Sequence, residues 1–278
     1  MSNLPHIHNL IYGEPWAITE AWHGTLAEIY ANKIAGLNTP DRINAELAAA
    51  GGQADKSAKP YEIQGDVAIV SLVGPLVPKA TMFTRMSGMT SMQAFSSYFN
   101  MAMADDVVAS VIPLVESPGG TTQGMFESAQ VIRDARGKKP IIAFSEGLGA
   151  SAAYLIASQA DEVWASVGAT VGSLGVIARM DSDERMMKNA GVDSLVIRSK
   201  ELKAPGSGGI TPNQMTAMHR RVMELDAMMM EVVSSARPRM DMKLAANGDI
   251  YTGRRALEVG LVDGITTLEK LIASLSGK

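Results

Sequence analysis

Ser151 stands among small residues in GLGASAAYLIA, residues 147–157, where an apolar run with helical spacing begins. A serine hydroxyl attacks a carbonyl only where one side is open and backbone N–H groups lie close enough to hold the oxyanion. The start of a helix supplies such unpaired N–H groups. Gly149, Ala150, Ala152 and Ala153 leave the space. Serine is also a common helix N-cap, and a lone serine here reads as a cap before it reads as a nucleophile. A nucleophile further needs a base, and the histidines, His6, His8, His23 and His219, accompany no glycine turn. The other common activator is a lysine made neutral by burial, since desolvation draws a lysine pKa down from about 10.4. Lys203 and Lys200, in RSKELKAPGSGG, both precede a glycine-rich loop, and residue type alone leaves both open.

Two more glycine-bearing turns follow apolar runs: ESPGGTT, residues 116–122, and VGSLG, residues 171–175. In open α/β sheets, sites form beyond the carboxyl ends of strands, so these turns and GLGAS are expected to converge. In ESPGG, Pro118 fixes φ while Gly119 and Gly120 permit a conformation with N–H groups facing outward, which suits an oxyanion. A tight turn with no function fits the same residues. The chain has neither G-x-x-x-x-G-K-[ST] nor a strand-following G-x-G-x-x-G, so none of these turns is a phosphate loop.

The elements that must position these residues are legible as an alternation. Residues 1–60 read as an N-terminal helical arm and linker, with helices at 17–35 and 41–50 and a polar break in GGQADKSAKP. The main domain, 61–278, opens with VAIVSLVG at 67–74, a continuously apolar run of the kind found in buried strands. Helices are expected at 91–104, 124–135, 151–157 and 183–190. Strands are expected at 107–115, 140–145, 162–165, 175–180 and 194–198. Strands separated by such helices mean crossover connections and an α/β sheet. Farther on, Met215, Met218, Val222, Leu225, Met229 and Val232 step by three and four along one helix, which Thr211 caps with Pro212 at its first position. That stripe fits packing on its own domain and a subunit interface equally. The chain closes with a short helix stopped at Gly260, a strand, and a helix over 267–275.

Composition excludes several classes. With 278 residues, 46% of them hydrophobic, the chain can bury a large core. The net charge of −4 and the lack of any lysine- or arginine-rich block argue against nucleic acid and anionic lipid as partners. Without cysteine there are neither disulfides nor thiolate metal sites. The N-terminus lacks a basic segment followed by an apolar one, and no apolar run reaches the roughly 18 residues that a membrane span needs. Neither export nor membrane anchoring is expected, and no metal or cofactor is called for.

The motifs in their order resemble the S49 serine peptidases, the signal peptide peptidase A group with the ClpP/crotonase-like fold of repeated β-β-α units. Within that family they resemble most the capsid assembly (prohead) proteases of lambda-like phages. The resemblance runs from NLPHIHNL through PYEIQGDVAIVSLVGPLV, SGMTSM, ESPGG, GASAAYLIAS, TVGSLGVI and LKAPG to YTGRRALEVGLVD. It implies Ser151 as nucleophile and a general base 52 residues later, which selects Lys203 over Lys200. It further implies Ser173 as the residue that orients the lysine, and an oxyanion hole from Gly119, Gly120 and Ala152. The implied protein is a homo-oligomeric serine endopeptidase that needs no cofactor and acts on scaffold, portal or other head proteins in the host cytoplasm. A signal-peptide-degrading peptidase, a crotonase-type acyl-CoA enzyme and an inactive assembly component are the alternatives on this fold. Two departures stand out. Ser151-Ala152-Ala153 replaces the usual Ser-Gly-Gly or Ser-Ala-Gly, adding methyl groups that would narrow access, and Glu116 replaces the common aspartate before SPGG.

Overall fold

The computed structural model describes residues 11–34, 59–80, 88–180, 188–189, 191, 197–203 and 209–277. The helix expected at 41–50, and most of the elements expected at 183–190 and 194–198, lie outside these residues. The described chain begins with β1 (Trp16–Ile18) and α1 (Glu20–Ile34), then β2 (Glu62–Gln64), β3 (Val67–Val73), β4 (Leu76–Val77) and β5 (Thr90–Ser91). The alternating part follows: α2 (Met92–Ala104), β6 (Ser110–Ser117), β7 (Gly119–Thr121), α3 (Met125–Ala135), β8 (Ile142–Ala150), α4 (Ala152–Ala157), β9 (Glu162–Ala165) and β10 (Thr170–Gly172). The last part holds α5 (Pro212–Ala236), α6 (Met242–Ala245), β11 (Ile250–Thr252), α7 (Gly253–Val259), β12 (Gly264–Ile265) and α8 (Leu268–Leu275).

The larger sheet runs β11-β10-β8-β6-β3-β2, with β9 joining β8 to β12, and its inner pairs β3–β6, β6–β8, β8–β9 and β8–β10 are parallel. A smaller sheet runs β1-β7-β4-β5. The expected α/β class holds. β3 shows why its run is apolar throughout. Ala68, Val70 and Leu72 face the layer that contains α2, α3 and α4, while Val67 and Ile69 face α8 through Leu271, Ile272 and Leu275. A strand covered on both faces loses the polar alternation of a half-exposed one.

Two expectations are corrected. The N-terminal segment is not helical from residue 17: Trp16–Ile18 is a strand paired antiparallel with β7, and the helix begins at Glu20. The strand expected at 175–180 lies earlier, at Thr170–Gly172, because Gly172 (φ 131), Ser173 (φ 51) and Gly175 (φ 158) carry the chain off the ladder. Beyond them Ile177 makes a bridge to Trp16. Along the stripe on α5, Met229 is buried in the core, Met218, Val222, Leu225 and Val232 are half-buried, and Met215 is exposed.

A small polar cluster ties the start of the main domain to the end of α2. Asp105 accepts from the Tyr61 hydroxyl (2.7 Å) and pairs with the Lys59 ammonium. The Lys59 bond first, and the Tyr61 bond second, hold the Asp105 carboxyl down to about 2. An unfolded aspartate titrates near 3.9, so the native chain binds fewer protons between these values. The stabilisation is complete above about pH 4 and is lost as pH falls toward 2. In urea titrations, Asp105→Asn is expected to lower the unfolding midpoint at pH 6, and the difference is expected to shrink as pH falls through 2.

Candidate active site

Parallel β6, β8 and β10 end side by side, with Ser117 opposite Gly149 and Gly172 opposite Ala150, so the three glycine-bearing turns converge as expected. Between Val115–Ser145 and Ser117–Gly149 the register shifts, which puts a bulge in β8. Gly149 leaves room for the Ser145 side chain, whose Oγ would stand 2.6 Å from a Cβ there and would have to turn away. The strand then turns at Ser151 directly into α4. Tyr154 anchors that helix by donating a hydrogen bond to the Leu261 carbonyl (2.6 Å), beside the Arg237–Asp263 ion pair.

Ser151 does not act as a capping side chain. It makes no side-chain cap bond to α4, and its Oγ donates to the Gly175 carbonyl (3.3 Å) while its N–H donates to the Gly172 carbonyl (2.8 Å). Its backbone, at φ 55 and ψ −121, lies where an L-residue is strained by about 1–3 kcal/mol. Among the described residues one other non-glycine has positive φ, and it is Ser173. Both serines singled out by the resemblance thus sit on strained turns that are joined through Gly172. The N–H of Ser173 donates to the Asp249 carbonyl (2.7 Å), and its side chain lines a cleft of about 370 Å3 with Gly175, Asp226 and Asn247.

ESPGG proves to be more than a turn, since Gly119–Thr121 forms β7 between β1 and β4. A Cβ on Gly119 (φ 102) would stand 2.2 Å from the Ala17 carbonyl oxygen and 2.9 Å from Ser151 Cβ, and one on Gly120 would stand 2.1 Å from the Leu76 carbonyl oxygen. The close approach therefore requires glycine at both positions. The Gly119 N–H donates to Ser117 Oγ (3.2 Å). Ala152 opens α4 directly after the serine, and the methyl groups of Ala152 and Ala153 are packed in the main core rather than turned into the approach to Ser151. Gly119→Ala is expected to lower stability by about 1–3 kcal/mol through backbone strain and overpacking. Gly168→Ala, which has open space and ordinary φ, is the control in the same thermal melts.

Lys203 stands on an exposed turn, as does Lys200. Its N–H donates to the Lys200 carbonyl (3.0 Å) and its carbonyl accepts from Arg198 Nε (2.9 Å). The single chain thus brings together Ser151, Ser173, Gly119, Gly120 and Ala152, while the Lys203 side chain is exposed. His6 and His8 lie outside the described residues. His23 is buried edge-on against Trp16, and His219 is exposed. One residue at the cleft escaped the sequence reading. Asp226 faces Gly175, and burial raises its carboxyl pKa above the ordinary range. The available signal was an aspartate next to Leu225 in the otherwise apolar stripe of α5.

The chain is 24% identical over 277 residues to the capsid assembly protease C of Escherichia phage lambda, covering 95% of this chain and 63% of that protein. It is 27% identical over 230 residues to the head-tail preconnector protein GP5 of Enterobacteria phage P21, covering 82% and 46%. It is 31% identical over 176 residues to the putative protease MJ0651 of Methanocaldococcus jannaschii, covering 62% and 56%. The chain therefore spans less than two thirds of the length of each of these relatives. Among solved structures, a mutant of the 1510-N membrane-bound stomatin-specific protease with a substrate peptide aligns over 75% of this chain and 78% of that one, with a TM-score of 0.44 and 16% identity. The profile of peptidase family S49 matches residues 133–278, a stretch that holds Ser151, Ser173 and Lys203, and the chain belongs to that family.

Proposed function

We propose that the chain is a serine endopeptidase in which Ser151 attacks the peptide carbonyl and Lys203 is the general base. One observation supports this most: Ser151 occupies a strained strand-to-helix turn, against Gly119 and Gly175, and leaves the capping role unused. The uncharged lysine takes the hydroxyl proton, the serine oxygen adds to the carbonyl, and the lysine returns the proton to the leaving amine; water then releases the acyl group. Ser173 holds the lysine in place. The N–H groups of Gly119, Gly120 and Ala152 receive the oxyanion once substrate draws Gly119 away from Ser117.

A lysine serves as a base where burial disfavours its charge, and Lys203 is exposed in the single chain, so it works in an assembly in which another copy of the chain covers it. Met215 and Met223, about two turns apart on α5 and both exposed, offer apolar groups for such a contact. In keeping with the phage relatives, we assign the substrates to scaffold, portal or other head proteins cut in an assembling prohead within the host cytoplasm. Among the described residues no helix is long and apolar enough to cross a membrane. The inactive assembly component draws support from the exposure of Lys203. A serine-reactive phosphonate separates these readings. Labelling of the assembled protein that Ser151→Ala abolishes is the expected result, and labelling that survives Ser151→Ala would overturn the assignment.

A further inference from the structure

We infer that the groove over Ser151 is a docking site for one extended peptide strand, and that residues 15–19 of the chain itself fill it and hold the serine shut. This rests on Ser151 being the reactive residue. Residues 15–19 are hydrogen-bonded along both edges. On one side the Trp16 N–H donates to the Ile177 carbonyl (2.8 Å) and the Ile177 N–H donates back to the Trp16 carbonyl (2.8 Å). On the other, the Thr19 N–H donates to the Pro118 carbonyl (3.0 Å) and the Thr122 N–H donates to the Pro15 carbonyl (3.3 Å), with Ala17 opposite Gly120.

Each of these flanking segments also touches the serine. Gly119 of β7 lies between the Ala17 carbonyl and Ser151 Cβ, and Gly175, two residues before Ile177, accepts the serine hydroxyl. In the single chain Ser151 is 0% exposed, with Gly119 held against it by the Ala17 carbonyl on the other side. Lifting residues 15–19 out uncovers main-chain donors and acceptors on both walls, which is the arrangement that receives an added β-strand.

The occupant also reports what the groove accepts. Trp16 and Ile18 point together into a satellite cluster with Leu26 and Val77, while Ala17 points the other way into the main core. The groove therefore selects extended segments with bulky apolar residues two apart and a small one between them. A substrate of that pattern displaces the chain's own strand.

The test uses the full chain with Ser151→Ala, so that no chemistry is needed, and a fluorescent synthetic peptide matching residues 12–21. Adding Trp16→Ala, which loosens the resident strand, is expected to tighten peptide binding at least tenfold. Equal affinity with and without Trp16→Ala, or no binding by either folded protein, overturns the inference. Hydrogen exchange on the unsubstituted chain gives a second measurement that stands even if Trp16→Ala fails to fold. The amides of Trp16, Thr19, Thr122 and Ile177 are expected to open together, at least a hundredfold faster than those of Val111–Val115. Exchange of all of them at the rate of the β6 core would show an integral strand and overturn it. If instead the assignment of Ser151 is at fault, the peptide still binds and the amides still open, while the phosphonate fails to label even the Trp16→Ala chain, in which Ser151 is intact and its strand loosened.

Discussion

Glycine at position 151 should silence the protein without weakening it. Loss of the hydroxyl is expected to reduce peptide hydrolysis by about a millionfold, the scale on which removal of a serine nucleophile acts, and to end phosphonate labelling. The same change relieves the backbone at φ 55 and ψ −121, a conformation glycine adopts freely. Against that gain stand glycine's larger chain entropy, about 0.5–1 kcal/mol, and the lost bond to the Gly175 carbonyl. A net stabilisation of about 1 kcal/mol is expected from the strain released. Ser151→Ala keeps the strain and should lose the reaction with no gain in stability. Urea unfolding of the two variants checks this. A glycine variant less stable than the alanine one would mean that the turn is unstrained, and that the serine is held there for packing.

Alanine at position 203 should lower hydrolysis by about a hundred- to ten-thousandfold, the range for losing a general base, whereas Lys200→Ala should leave it nearly unchanged. Because Lys203 is exposed in the single chain, the rate of the unsubstituted protein should also depend on its own concentration. Dilution that splits the assembly should remove activity in step with the loss of the larger species by sedimentation, while the fold of each chain persists. Full specific activity from a monomer would rule out a second copy as the source of the covering surface. Full activity of Lys203→Ala would rule out the lysine.

The β3 run, the helix starting near Met92 and the cap at Thr211 were legible because each depends on neighbours within a few residues. The capping box of α5 formed as its residues specify, with Thr211 accepting from the Gln214 N–H and Gln214 reaching back. The turns at Ser151, Gly119 and Ser173 could be named as glycine-rich, but their meeting depends on the parallel order β6-β8-β10, which no local pattern contains. Trp16–Ile18 was misread for a related reason. Taken alone, AITEAWHG scans as the start of a helix, and only the distant β7 edge makes it a strand. Lys203 was selected by resemblance and not by its surroundings, and its exposed turn provides no local feature that distinguishes it from Lys200.

The edge of β8 serves β9 with residues 142–145 and β10 with residues 148–150. Ile142 and Phe144, in the leading half, belong to the apolar cluster under α8, while the trailing half leads into Ser151. The bulge between the halves works as an expansion joint: the ladder that the leading half makes with β6 and β9 closes before the path of residues 146–151 begins, so a change confined to that path leaves the sheet in place.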